Sequence, residues 1–188
     1  MQRDYRNMAA KVAKYGGFYV GRYETSLSNA TSTEAKDGTV QSKQGVIPTS
    51  AGNSATSSWY GLYSKQKGYT GKDGSVESSM IWGSQYDAML NWAKTGEDKD
   101  KITNRVLGNN SSGSVTTTGN SNYSDDSINN IRDLGGNLRE WTLEAYNTSS
   151  RVFRGGGYSF TGSPRCRVNV TPNSTNSGNG SRVTLYIK

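Results

Sequence analysis

The chain has 188 residues, one cysteine, no histidine and a formal net charge of +7. A single cysteine excludes an intramolecular disulfide framework, and the lack of histidine excludes Ser-His-Asp and Cys-His nucleophiles as well as the usual zinc and non-haem iron sites. The length points to one domain, large enough to bury a core without disulfides or metals.

The positive charge permits phosphate contact, but the lysines and arginines are scattered, with no basic stripe interleaved with aromatics, so no nucleic acid is expected as a partner. No run of about eighteen apolar residues is present, and membrane insertion is not expected. Nor does the sequence open on a signal-peptide pattern. A surface location is therefore expected to come through a larger parent protein or an assembled particle.

Residues 3–14 predict a helix, because Tyr5, Met8, Val12 and Tyr15 recur at spacings of three and four and the Gly16-Gly17 pair supplies a stop. Residues 18–26 read as a strand with Phe18 and Val20 on one face and Tyr19 and Tyr23 on the other. From 27 to 57 the chain is polar and aperiodic, which indicates loop with a turn at 36–38. The Trp59-Tyr-Gly-Leu-Tyr63 cluster is expected to pack on the core. The clearest helix covers 84–92, with Ser84 as N-cap, Asp87 three residues on, an apolar face of Tyr86, Met89, Leu90 and Ala93, and Gly96 at its close. Residues 107–127 predict a second loop, most flexible at 108–114. Regular structure resumes at 133–142, and strands around Arg151 and Val183 complete a small sheet. Long loops with sparse helix and strand indicate an α+β fold.

The most informative stretch is 151–188. Two strand-like segments, 151–153 and 183–187, bracket a middle that reads as neither helix nor strand and offers hydroxyls, amides, arginines and aromatics. It has the character of a displayed binding surface, the plainer alternative being a solvated loop.

Five segments, taken in order, carry a resemblance: Gly17-Phe-Tyr-Val-Gly-Arg-Tyr-Glu-Thr25, Gln85-Tyr-Asp-Ala-Met-Leu-Asn-Trp92, Gly136-Asn-Leu-Arg-Glu-Trp-Thr142, Arg151-Val-Phe-Arg-Gly-Gly156 and Gly180-Ser-Arg-Val-Thr-Leu-Tyr186. Together they resemble the formylglycine-generating-enzyme-like (sulfatase-modifying factor) domain, a variant of the C-type lectin fold. The resemblance runs over nearly the whole chain. It implies one α+β, C-type-lectin-like domain over 1–188 with a small antiparallel sheet, two helices and long loops. A chain that opens on a helix without an export signal is in turn expected to be the C-terminal part of a longer protein.

In the enzymes of that family, two cysteines beyond the Gly-Gly turn bind copper; those positions fall at Phe160 and Arg165 here, and Cys166 alone cannot supply a bis-thiolate site. The related sulfoxide synthases need a histidine-bound iron that this chain cannot build. The expectation is a non-catalytic module that requires no cofactor. Its alternatives are a structural domain of a phage tail or surface fibre, or a formylglycine-generating-type metalloenzyme.

Among non-catalytic members, the chain resembles the variable proteins of diversity-generating retroelements, found in phages and on bacterial surfaces. In these, residues between the Arg-Gly-Gly turn and the last strand contact a ligand and are altered at adenines in the coding DNA, which marks 151–188 as the candidate variable region. The corresponding residues are Gly157, Ser159, Phe160, Thr161, Arg165, Arg167, Asn169, Thr171, Asn173, Thr175, Asn176 and Asn179, with Arg154, Gly155, Gly156, Ser181 and Arg182 as frame. Tyr158, Phe160, Arg165 and Arg167 are expected to supply most of the contact energy, and the Ser, Thr and Asn residues adaptable hydrogen bonds. The implied partner is a macromolecular ligand, protein or glycan, on a target cell or surface. Residues 155–181 lack Lys, Glu, Gln, Met and Trp, which adenine changes in a pyrimidine-ending Asn codon do not reach; residues 102–139 lack them too, so the absence is compatible with diversification without demonstrating it.

The resemblance also implies a structural calcium loop, with side chains of Asp133 and Glu140 and backbone carbonyls of Gly136 and Leu138 as ligands. The alternative is a tight turn in which Glu140 pairs with a nearby arginine.

Overall fold

A computed structural model describes residues 1–34, 37–49, 58–110 and 112–188. Helix α1 (Gln2–Tyr15) buries Met8 and stops at Gly16, whose φ of 76° is left-handed and favours glycine. Tyr5 lies edge-on to Trp82 with ring centroids 5.1 Å apart, which seats the helix on the body of the protein.

The predicted strand at 18–26 is divided in two. Strand β1 (Tyr19–Val20) and β2 (Thr25–Leu27) belong to different sheets. The break has a physical cause: Gly21 still donates to the Val183 carbonyl, but Arg22 turns its carbonyl to the Arg132 amide and Glu24 goes into the interior. Residues 27–57 are likewise not all loop, because β3 (Val40–Ser42) pairs antiparallel with β2. Of the predicted turn at 36–38, Lys36 lies outside the described residues; Asp37 accepts from the Asn29 amide as the chain turns back.

The Trp59 cluster forms helix α2 (Trp59–Gln66), capped by the Ser58 hydroxyl on the Gly61 amide, so the described residues hold three α-helices instead of two. Helix α3 (Gly83–Ala93) buries Tyr86, Met89, Leu90 and Ala93 as its periodicity required. It starts earlier than predicted. Trp82 is the N-cap residue, and the Gln85 side chain accepts from its amide at 3.0 Å, a role that Ser84 does not fill.

Strand β4 (Val76–Met80) pairs with β11 (Val183–Ile187), and β11 with β1, in one antiparallel sheet. After a small hairpin of β5 (Ser127–Ile128) and β6 (Ile131–Arg132) comes the other large sheet, ordered β10-β7-β8-β9. It comprises β7 (Arg139–Ala145), β8 (Arg151–Arg154), β9 (Arg167–Val170) and β10 (Asn179–Ser181). The pair β10–β7 is parallel and the other pairs are antiparallel. Two expectations are corrected here. The strands at Arg151 and Val183 lie in different sheets, and the stretch between them contains two strands of its own.

Buried residues form two clusters. One gathers Tyr86, Met89 and Leu90 of α3 with Ile102, Leu107, Ile128 and Leu134; the other gathers Trp59, Leu62, Met80, Trp141, Leu143, Phe153 and Tyr186 between the helices and both sheets. Strand β7 runs through the middle, buried without interruption from Glu140 to Leu143.

Candidate functional site

The region after β8 is built on close backbone contact. Gly155 has a φ of 78°, and a Cβ placed there would lie 2.6 Å from the Leu134 carbonyl oxygen; at Gly156 it would lie 2.1 Å from the Gly135 oxygen and 2.4 Å from that of Gly162. Only glycine fits such a seat. The Asn110 side-chain amide donates to the same two carbonyls, of Gly135 and Gly162, at 2.8 and 3.1 Å. Thus 108–114, expected to be flexible, is tied to the turn by Asn110 and by Asn109, which is buried and donates to Ser114, Thr116 and Asn137; Ser111 lies outside the described residues.

Main-chain bonds fix the rest. Gly157 and Phe160 exchange amide-to-carbonyl bonds, the Tyr158 amide donates to Asn137 and its carbonyl accepts from Gly113, the Arg139 amide donates to Gly178, and the Trp59 amide to Pro172. A surface loop held by its backbone relies less on its side chains for shape.

The thirteen candidate ligand residues divide by exposure. Ser159, Thr161, Arg165, Arg167, Asn169, Thr171, Asn173, Thr175 and Asn176 are exposed, Phe160 is half-buried, and Gly157, Tyr158 and Asn179 are buried. From Arg165 to Asn173 the exposed positions alternate with less exposed ones, and within β9 the alternation has the period of a strand. Ser159, Arg165, Asn169, Thr171, Asn173 and Thr175 have no side-chain partner among the described residues. Tyr158 is the main correction: it is 9 % exposed, and its hydroxyl lies 2.7 Å from that of Ser177, so it supports the face from beneath. Arg167 is not free either, since Glu144 pairs with it. The frame residues Arg154, Gly155, Gly156, Ser181 and Arg182 are all buried.

Beneath lies a polar centre. Arg182 is fully buried and gives its Nε to both oxygens of Glu140 at 2.9 and 3.2 Å, with Nη1 on the Gly21 carbonyl and Nη2 on that of Arg132. Glu24 accepts the Leu138 amide and the Asn137 side chain at 2.8 and 2.6 Å, Asp133 accepts the Gly119 amide, and Asp126 accepts the amides of Leu134 and Gly135. Burial pushes the carboxyls upward, with neighbouring carboxylates adding to the shift: Glu24 well above its usual value, Asp126 to about 7 and Asp133 to about 6.

This arrangement bears on one of the residues expected to hold calcium. Both oxygens of Glu140 are already engaged by a guanidinium. Of the set Asp133, Gly136, Leu138 and Glu140, Glu140 is paired with Arg182, the arginine pairing that stood as the alternative to a calcium ion.

Sequence reasoning missed Arg139. Its guanidinium lies 5.0 Å from the Phe153 ring and 5.3 Å from that of Phe160, and Nη2 donates to Asn179 at 3.2 Å. Its only sequence signal was its place in Gly136-Asn-Leu-Arg-Glu-Trp-Thr142, where it reads as frame.

The chain matches no family model and no curated protein. Among solved structures it is similar to one titled "Crystal Structure of CarF", at 14 % identity and a TM-score of 0.57, over 91 % of this chain and 87 % of that one. It is also similar to Treponema denticola variable protein 1, at 14 % identity and a TM-score of 0.52, over 89 % of this chain and 84 % of that one. The chain has the α+β, C-type-lectin-like fold.

Proposed function

We propose that the chain is a non-catalytic recognition module that presents 157–179 to a macromolecular ligand, as the variable protein of a diversity-generating retroelement does. The observation that carries this reading is the separation of roles: nine of the candidate residues are exposed, while the frame residues around them are buried. Side chains at Ser159, Arg165, Asn169, Thr171, Asn173 and Thr175 can change without breaking a bond among the described residues. The name of one structural neighbour, a variable protein, agrees with the reading. Catalysis has little support. Cys166 accepts a contact from the Ser163 amide at 3.3 Å, and the chain has no histidine to activate it. A phage particle or bacterial surface, reached through a larger parent protein, is the setting this function needs.

Sequencing the DNA around the gene tests the reading. A near-copy of the codons for 150–188 that differs almost only at adenines, beside a reverse transcriptase, is the expected finding. Absence of both would leave a lectin-like domain with a fixed partner.

A further inference from the structure

Of the arginines around the face, three have acidic partners, whereas the half-buried Arg139 and Arg151 have none among the described residues, and Arg151 gives its Nη1 to the carbonyls of Asn147 and Ser150. Arg154 pairs with Asp87, Arg167 with Glu144 and Arg182 with Glu140. Arg139 has no carboxylate partner among the described residues, and its charge is partly removed from water between two phenylalanine rings. Its Nε is enclosed without a hydrogen-bond partner. Its Nη2 bonds to Asn179, and Nη1 is neither enclosed nor bonded. Burial accordingly lowers its pKa from the usual arginine value, the direction expected of a cation short of compensation. Holding a guanidinium this way is costly unless an anion completes it.

The surroundings supply no such anion. From Ala145 to Lys188 the chain has no Asp or Glu, while it carries Arg151, Arg154, Arg165, Arg167, Arg182 and Lys188. Of the residues touching Arg139, Phe160 and Asn179 belong to the candidate ligand set and Phe153 to the core. The clefts of about 220, 500, 610 and 300 Å³ open elsewhere, and no residue from 146 to 182 lines any of them. None of these four clefts gives this part of the face a concave site of the kind that usually holds a small ligand, and its exposed side chains suit a protein partner.

We propose that Arg139 is a fixed anion receptor on the ligand face, which takes an Asp or Glu carboxylate of a protein ligand on its η nitrogens while the variable side chains around it set the choice of partner. The planar fork of a guanidinium matches a carboxylate, and charge-assisted bonds of this kind are the strong ones. The proposal rests on the recognition reading above and deepens it.

The test is an NMR titration of the intact chain with the blocked tripeptide Gly-Glu-Gly, its Gly-Gln-Gly counterpart and N-acetylneuraminate at constant ionic strength. It reads the Arg139 Nε–H signal and the amides of 157–160 and 178–179, and is repeated on Arg139→Gln and Arg139→Lys. The expected result is a saturable shift with the Glu peptide, about tenfold weaker binding of the Gln peptide, and loss of the response in Arg139→Gln. The wild-type titration stands alone if that variant fails to fold. Equal binding of the two peptides, or a response unchanged in Arg139→Gln, would overturn the role of Arg139 and leave the recognition reading intact. Tighter binding of neuraminate than of the Glu peptide would overturn the proposal in favour of an acidic glycan. No shift with any probe would overturn it too, and the recognition reading would then be decided by the flanking DNA.

Discussion

Arg182 and Arg165 belong to the same end of the chain and sit in opposite circumstances. Arg182 is fully buried and meets Glu140 and the carbonyls of Gly21 and Arg132, whereas Arg165 is exposed and has no partner among the described residues. The same contrast separates the two regions they belong to. In the centre, Glu24, Asp133, Glu140 and Asn137 fasten distant parts of the chain to one another. On the face, backbone bonds hold the loop and the side chains point their chemistry outward. The difference teaches that a surface can be open to change when its shape is owed to glycines and main-chain bonds next to a fixed polar centre.

The largest effect is expected at that centre. Arg182→Met leaves Glu140 without its cation beside Glu24 and Asp133, and is expected to cost about 3–5 kcal/mol in urea unfolding, as breaking a buried pair does. Gly156→Ala comes next. Its Cβ would meet the Gly135 and Gly162 oxygens at 2.1 and 2.4 Å, so a loss of about 1–3 kcal/mol is expected, and a neutral result would show that the turn is not a rigid seat.

The pH dependence sharpens the contrast further. Asp126 and Asp133 have folded-state pKa values of about 7 and about 6, above the unfolded value, so the folded protein binds more protons than the unfolded chain across that window. The stability they contribute is present below the unfolded pKa and is lost as pH rises through the folded values. Melting temperature is therefore expected to fall between about pH 5 and pH 8, and Asp126→Asn to flatten part of the slope. The smallest effects belong to the face: Arg165→Ala and Asn169→Ala are each expected to change stability by less than about 0.5 kcal/mol while weakening ligand binding. A loss near that of Gly156→Ala would erase the distinction between face and frame.

Much of this division could be read in the sequence, for reasons that show its limits. Helices α1 and α3 were legible because Met8 and the set Tyr86, Met89, Leu90 and Ala93 repeat at helical spacing. The exposed positions Arg165, Arg167, Asn169, Thr171 and Asn173 were legible because a resemblance supplied the positions and a strand supplies their period of two. Tyr158 misled because an aromatic in a polar stretch suggests a contact residue, whereas the fold places Asn137 and Ser177 where they bond to it. Arg139 was out of reach, since its meaning comes from Phe153, Phe160 and Asn179, which other strands and turns bring to it. The split of 18–26 into two sheets was hidden likewise, because it follows from Glu24 bonding to Asn137 and Leu138, more than a hundred residues away.

The measurement that tests the central claim most directly is simultaneous randomisation of Ser159, Thr161, Arg165, Arg167, Asn169, Thr171, Asn173, Thr175 and Asn176, with folding scored by cooperative thermal unfolding across the library. Most members are expected to unfold cooperatively near the temperature of the parent and to differ in what they bind, as a face independent of its frame requires. A library in which most members fail to fold would contradict it, because these positions would then belong to the frame.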